Sequence, residues 1–143
     1  MIHRSRALQD DRGQSLVEFA LILPALLLLM VGIVDFGRAF QNYVALGDMV
    51  RQSAREAAVH GAGATVQWGP AANDASVTAD VRQRAVGLVS QNVVVTSAWP
   101  EGDNSTGSQV TVAATYTFRP IALMFLGNVT VPLSATTTTR ILH

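Results

Sequence analysis

The side chains able to do chemistry are few enough in this sequence to be weighed one by one. Three histidines, His3, His60 and His143, stand far apart, and two lie at or near the termini, so they form no catalytic constellation with one another. The absence of cysteine removes thiolate nucleophiles, thiolate metal sites and disulfides together. There is no H-E-x-x-H, G-x-S-x-G, phosphate-loop or dinucleotide glycine pattern. Asp74, and Asp103 with Asn104, could attract a cation, but without EF-hand spacing the plainer reading is turn chemistry. Asp35 and Arg38, three residues apart, can pair on one helix face, a contact worth only a few tenths of a kcal/mol if exposed. No catalytic residue, metal site or cofactor follows, and the chain is not expected to be an enzyme. One acid stands out. Glu18 is the single charge in the run Leu16 to Val34, where a carboxylate costs about 2.5–3.5 kcal/mol on insertion scales. It is either an interfacial side chain reaching back to water or an acid with a partner.

The element that must position Glu18 is the run itself, LVEFALILPALLLLMVGIV. At about 1.5 Å of rise per residue it is long enough to cross a bilayer core as a helix, and longer than the apolar region of a cleavable signal peptide. Small-residue positions near Gly32 and Gly37 make poor signal-cleavage sites. Arg4, Arg6 and Arg12 precede the run, so the N-terminus is expected to stay cytoplasmic and the remainder to lie outside. This block carries most of the positive mean hydropathy. The ten basic and ten acidic residues cancel, with no basic cluster beyond the N-terminus, which argues against a nucleic-acid partner. Pro24 falls too deep for a first-turn proline; it is read as a tolerated kink, or as a point of local unwinding that lets the helix leave the membrane.

Read together, Arg12-Gly13-Gln14-Ser15-Leu16-Val17-Glu18-Phe19 sets a polar leader ending in glycine before an acid, an aromatic residue and an apolar run. This resembles the processing site of type IV prepilins and, more closely, the TadE-like family of tight-adherence (Flp) pilus systems. The continuation Asp35-Phe36-Gly37-Arg38-Ala39-Phe40, then Asn42-Tyr43 and Ala54-Arg55-Glu56-Ala57-Ala58, resembles that family as well, over roughly residues 12–60. The resemblance implies that a membrane aspartyl peptidase cuts between Gly13 and Gln14, leaving Glu18 as the fifth residue of the mature chain. Glycine suits such a bond, since it brings backbone freedom and no obstructing side chain. The new amino group of Gln14 on one subunit could then pair with Glu18 of the next, neutralising two charges that are costly in a membrane. It implies as partners a prepilin peptidase, a related pseudopilin, the major pilin, and the platform membrane proteins with their secretion ATPase.

Beyond the membrane the helix is expected to continue as an amphipathic stem, with Leu46, Met49, Val50, Ser53 and Ala57 as its apolar stripe and a stop at Gly61-Ala62-Gly63. Asp48, Arg51, Gln52, Arg55 and Glu56 take the other faces. A loop to Asn73 follows, in which Trp68 is expected to pack against a helix, the alternative being an anchor at the membrane surface. Asn73 or Asp74 caps a second helix whose positions Val77, Val81, Ala85, Leu88 and Val89 share a side. From Asn92 the period turns to two: strands are predicted at Val93–Ser97, Val110–Phe118 and Val129–Ile141, with a polar turn at Pro100–Ser108. The apolar connection Ile121–Leu126 is too short to span a membrane and either covers the open end of the core or offers a contact surface.

The predicted architecture is thus α+β and pilin-like, with a long transmembrane helix continuing into a stem, a second helix and a small three-stranded antiparallel sheet. It divides into a cytoplasmic leader at 1–13, the anchor and stem at 14–60, and an extracytoplasmic head at 61–143. The expected function is that of a pseudopilin or minor pilin of a tight-adherence pilus, assembling through its apolar helix in the inner membrane or in an extracellular filament. The alternative is an unprocessed signal-anchored domain with a binding or weak enzymatic activity, which would have no need of Gly13 and Glu18. A general type IV or type II pseudopilin matches less of the segment from Gln14 to Glu18.

Overall fold

A computed structural model describes residues 7–124 and 127–142, with side chains from Gly13 onward. Of the positions discussed above, His3, Arg4, Arg6, Phe125, Leu126 and His143 lie outside the described residues, as does the side chain of Arg12. The first element, α1, is one helix from Ala7 to Val59, 53 residues unbroken through Pro24. At 1.5 Å per residue it is about 80 Å long. It begins upstream of Gln14, where the anchor was expected to start.

The second half of α1 carries the core. Leu46, Val50, Ser53, Ala54 and Ala57 are wholly buried and Met49 nearly so, at the spacing of one helix face. Helix α2, Ala75–Gln83, adds Val77 and Val81 to the same core. Asp74 caps it, its Oδ1 accepting from the amides of Ser76 at 2.8 Å and Val77 at 3.2 Å, while Asn73 beside it adopts φ 58°. α2 is shorter than its apolar pattern suggested. It stops at Gln83, before β-branched Val86 and a left-handed Gly87 at φ 84°, neither of which favours a helix. Ala85 and Leu88 still reach the core from the turns that follow, whereas Val89 is exposed.

A short 3-10 turn at Ser90–Asn92 leads into a three-stranded antiparallel sheet: β1 Val93–Ala98, β2 Gln109–Phe118 and β3 Val131–Arg140, in the order β1-β2-β3. Val93 lies opposite Tyr116, Val110 opposite Thr139 and Phe118 opposite Val131. The two-residue period puts Val93, Val95, Val110, Val112, Ala114, Tyr116 and Phe118 on the inner face, where β2 and β3 pack on α1 and β1 packs on α2. On the outer face the hydroxyls of Thr111 and Thr138 meet at 2.9 Å, and those of Thr115 and Ser134 at 3.2 Å.

Polar contacts fix these layers. Ser53, fully buried on α1, donates to Asp80 Oδ2 on α2 at 2.6 Å, and Arg84 Nε donates to the same oxygen at 2.8 Å. Burial alone would raise the Asp80 pKa, but the hydrogen bonds from Arg84 and Ser53, with the charges of Arg84 and His60, hold it below the ordinary carboxylate value. Contact with Asp80 raises the Arg84 pKa in turn. At the far end of α1, Leu142 donates its amide to the carbonyl of Ala58 at 2.9 Å, tying the C-terminal segment to the end of the helix. Trp68 stacks on His60 with ring centroids 4.6 Å apart, so it packs at the end of the stem.

Candidate functional site

The residues singled out for processing and assembly all lie on the first turns of α1. Gly13, Gln14 and Glu18 are helical and exposed, and a Cβ placed on Gly13 would meet nothing within 4 Å. The Gly13–Gln14 bond is therefore unobstructed by other parts of the chain, although it lies in a helix and not in an extended segment. From Leu16 to Val34 nearly every side chain faces outward: Leu21 is 72% exposed, Ile33 64% and Leu29 61%. Within Gly13–Val59 no part of the most apolar 18-residue window is buried in the core, and the helix is long and apolar enough to cross a membrane. Such a surface is far too large and continuous to be left in water by a stable monomer.

The span ends at Asp35, and here the structure holds a contact that residue spacing did not disclose. Asp35 pairs with Arg38 at 2.9 Å, as its i,i+3 position suggested. Its second oxygen accepts the backbone amide of Ala122 at 2.6 Å, across 87 residues of sequence. Asp35 is only 5% exposed, and both its oxygens have donors, which is how a buried carboxylate avoids the cost of lost hydration. Arg38 in turn lies over the ring of Phe118, 5.5 Å from its centroid. The connection between β2 and β3 is thereby pinned to the outer end of the apolar span. Its described apolar residues, Ile121, Ala122, Leu123 and Met124, form no part of the core, and Phe125 and Leu126 of the same stretch lie outside the described residues. Ile121 and Met124 are exposed. The buried Asp35 itself was the available signal, an acid directly after an apolar run, but its partner was not legible because an amide donor has no residue type.

The acids considered for cation binding are occupied otherwise. Asp74 caps α2 and also accepts from the amide of Gly69 at 3.1 Å. Asp103 accepts from the amide and hydroxyl of Ser105 and from the hydroxyl of Ser108, the pattern of an Asx turn, and the bond from Ser108 leads the effects that lower its pKa. Among the described residues no group of three or more histidines and acids is placed to hold a metal ion.

No curated protein and no solved structure matches the chain. Residues 13–55 match the family model described as TadE-like protein, so the match opens at Gly13, runs through the apolar span and Asp35, and closes within the core-bearing stripe of the stem. The head from Gly61 onward lies outside it. From its anchor through most of its stem, then, the chain is similar to the TadE-like family, and its N-terminal helix is long and apolar enough to cross a membrane.

Proposed function

We propose that this chain is a pseudopilin or minor pilin of a tight-adherence (Flp-type) pilus, a structural subunit and not an enzyme. The reading rests on one observation: a single unbroken helix carries an exposed apolar span at one end and packs into the core of the head at the other, with the TadE-like match covering the span and most of the helix's share of that core. In this reading the N-terminus is cytoplasmic, the head extracytoplasmic, and the chain waits in the inner membrane until it is assembled. A prepilin peptidase cuts after Gly13. Related pilins and the platform membrane proteins are the partners, met through the apolar helix.

Because α1 is helical at Gly13, cleavage requires its first two turns to unwind. That is a small demand, since the end of a helix with few tertiary contacts is only marginally stable. After cleavage the amino group of Gln14 carries positive charge, and Glu18 is four residues further on, one turn along the same face. Within one helix the two can approach; between neighbouring subunits the same pair would neutralise both and set their axial offset.

The test is intact-mass and N-terminal peptide spectrometry on protein taken from membranes of its native host. A mature N-terminus at Gln14, lost in a Gly13→Leu variant, is the expected result. A chain that keeps residues 1–13 in the presence of an active peptidase would favour an unprocessed membrane-anchored domain instead. Glu18→Ala is expected to leave membrane insertion intact while reducing incorporation into filaments, and normal incorporation would remove the pairing from the proposal.

A further inference from the structure

The β2–β3 connection sits beside the membrane span and not above it. Asp35 directly follows the last apolar residue of the span, and its carboxylate holds the amide of Ala122. Two apolar grooves flank the connection where it meets α1. One, of about 780 Å³, lies between Leu28, Leu29, Gly32 and Phe36 of the helix and Ala122 and Leu123 of the connection. The other, of about 300 Å³, lies between Pro24, Leu27 and Val31 and the side chain of Ile121. Within the span, the helix surface involved runs from Pro24 to Val34 and rises about 15 Å, roughly the outer half of a bilayer core crossed by Leu16–Val34, with Phe36 just beyond it.

We infer that the segment Ile121–Met124 is a second membrane-embedded element, inserted into the outer leaflet beside α1, with lipid acyl chains filling the two grooves. This rests on the membrane-anchored reading given above. Continuity identifies the occupant, because one wall of each groove is the lipid-crossing helix itself, at a depth where no water-exposed partner can reach. The polar groups agree. The acid at this level, Asp35, has its charge answered by Arg38 and by the Ala122 amide, so it can lie at the edge of the hydrocarbon. The cations flanking the segment, Arg38 and Arg119, are both exposed and suited to lipid phosphates at the headgroup level. Ile121, 48% exposed, and Met124, 65% exposed, then have an apolar solvent. The head would be held at two points, the helix and the inserted segment, and its tilt over the bilayer surface would be set.

The chain has no cysteine, so single-cysteine variants can be spin-labelled without further substitutions. Full-length protein carrying Ile121→Cys or Met124→Cys would be placed in phosphatidylethanolamine–phosphatidylglycerol vesicles at low protein-to-lipid ratio. Collision with dissolved oxygen, which concentrates in lipid, is compared with collision with a water-soluble nickel chelate. Leu21→Cys, deep in the span, and Thr136→Cys, on the outer face of the sheet, supply the two reference patterns. Labels at 121 and 124 are expected to follow Leu21, with oxygen access exceeding nickel access. If they follow Thr136 while Leu21 reports lipid, the inserted segment is refuted and the membrane anchor stands. If they are shielded from both reagents, a protein surface occupies the grooves and the lipid assignment is overturned. If Leu21 itself reports water, the anchored reading fails and the inference falls with it.

Discussion

Replacing Asp35 by alanine removes a side-chain hydrogen bond that joins the end of the apolar span to the β2–β3 connection, and its effect can be sized from the geometry. The carboxylate is 5% exposed and accepts two hydrogen bonds, from Arg38 at 2.9 Å and from the Ala122 amide at 2.6 Å. A hydrogen bond to a charged group contributes about 1.5–3 kcal/mol net, and the Arg38 bond can be recovered in part from solvent. The Ala122 bond cannot be so recovered without moving the connection. At 1.4 kcal/mol per factor of ten, its loss should raise the opening of the connection by roughly 10- to 150-fold. Hydrogen–deuterium exchange on detergent- or vesicle-held protein reads this directly at the Ala122 amide. The amide of Val112, buried in the central strand, serves as a control because it exchanges only when the head opens as a whole. Asp35→Asn, which keeps an acceptor without the charge, should fall between wild type and alanine. If exchange at Ala122 is unchanged in the alanine variant while Val112 stays protected, the connection is held by other contacts and the anchoring role given to Asp35 is wrong.

Three further outcomes follow from the head. Gly69→Ala should destabilise it by about 2–5 kcal/mol in chemical unfolding, because φ is 79° there and the new Cβ would lie 2.3 Å from the ring of the buried Trp99. Gly47→Ala is the contrasting case, a helical position whose nearest neighbour is the flexible end of Arg51 at 3.5 Å; it should be neutral or stabilise by up to about 1 kcal/mol, and a large loss would contradict the packing described. Asp80 has a folded pKa below the ordinary 3.8, so its contribution is present above that value and lost as pH falls through the lower folded one. Subtracting an Asp80→Asn titration from the wild-type stability profile should therefore leave a difference that is flat near neutrality and shrinks below about pH 4; a difference that grows with acidity would reverse the assignment.

What could be read beforehand was whatever repeats with a short period. The 3.6-residue stripe from Leu46 to Ala57 and the two-residue alternation of β1 and β2 name their own buried faces, because each side chain's neighbours are set by its own element. The apolar run was legible from length alone, and the Gly13–Glu18 spacing that carried the TadE-like resemblance lies inside the match at residues 13–55, while the Ala54–Ala58 stretch runs past its end. The end of α2 was misplaced for a related reason: Ala85 and Leu88 are apolar to face the core, and a turn satisfies that pattern as well as a helix does. Ser53 belonged visibly to the stripe, but its use as a donor to Asp80, 27 residues away, depends on how two helices cross. Most distant of all was the pairing of Asp35 with the Ala122 amide, which no periodicity can encode.

No flexible joint separates span from head in α1, and this has a consequence for how subunits can be arranged. A helix turns by about 100° with each residue, so the number of residues between the span and the core sets the azimuth of the sheet about the axis. One residue added between Gly37 and Tyr43 would swing the head by nearly a third of a revolution relative to the lipid-facing side of the span, while lifting it by only about 1.5 Å. The stem therefore behaves as a keyed shaft. Its length matters less as reach than as phase, and whatever surface the head presents to a neighbour is timed to the face by which the helix meets its own.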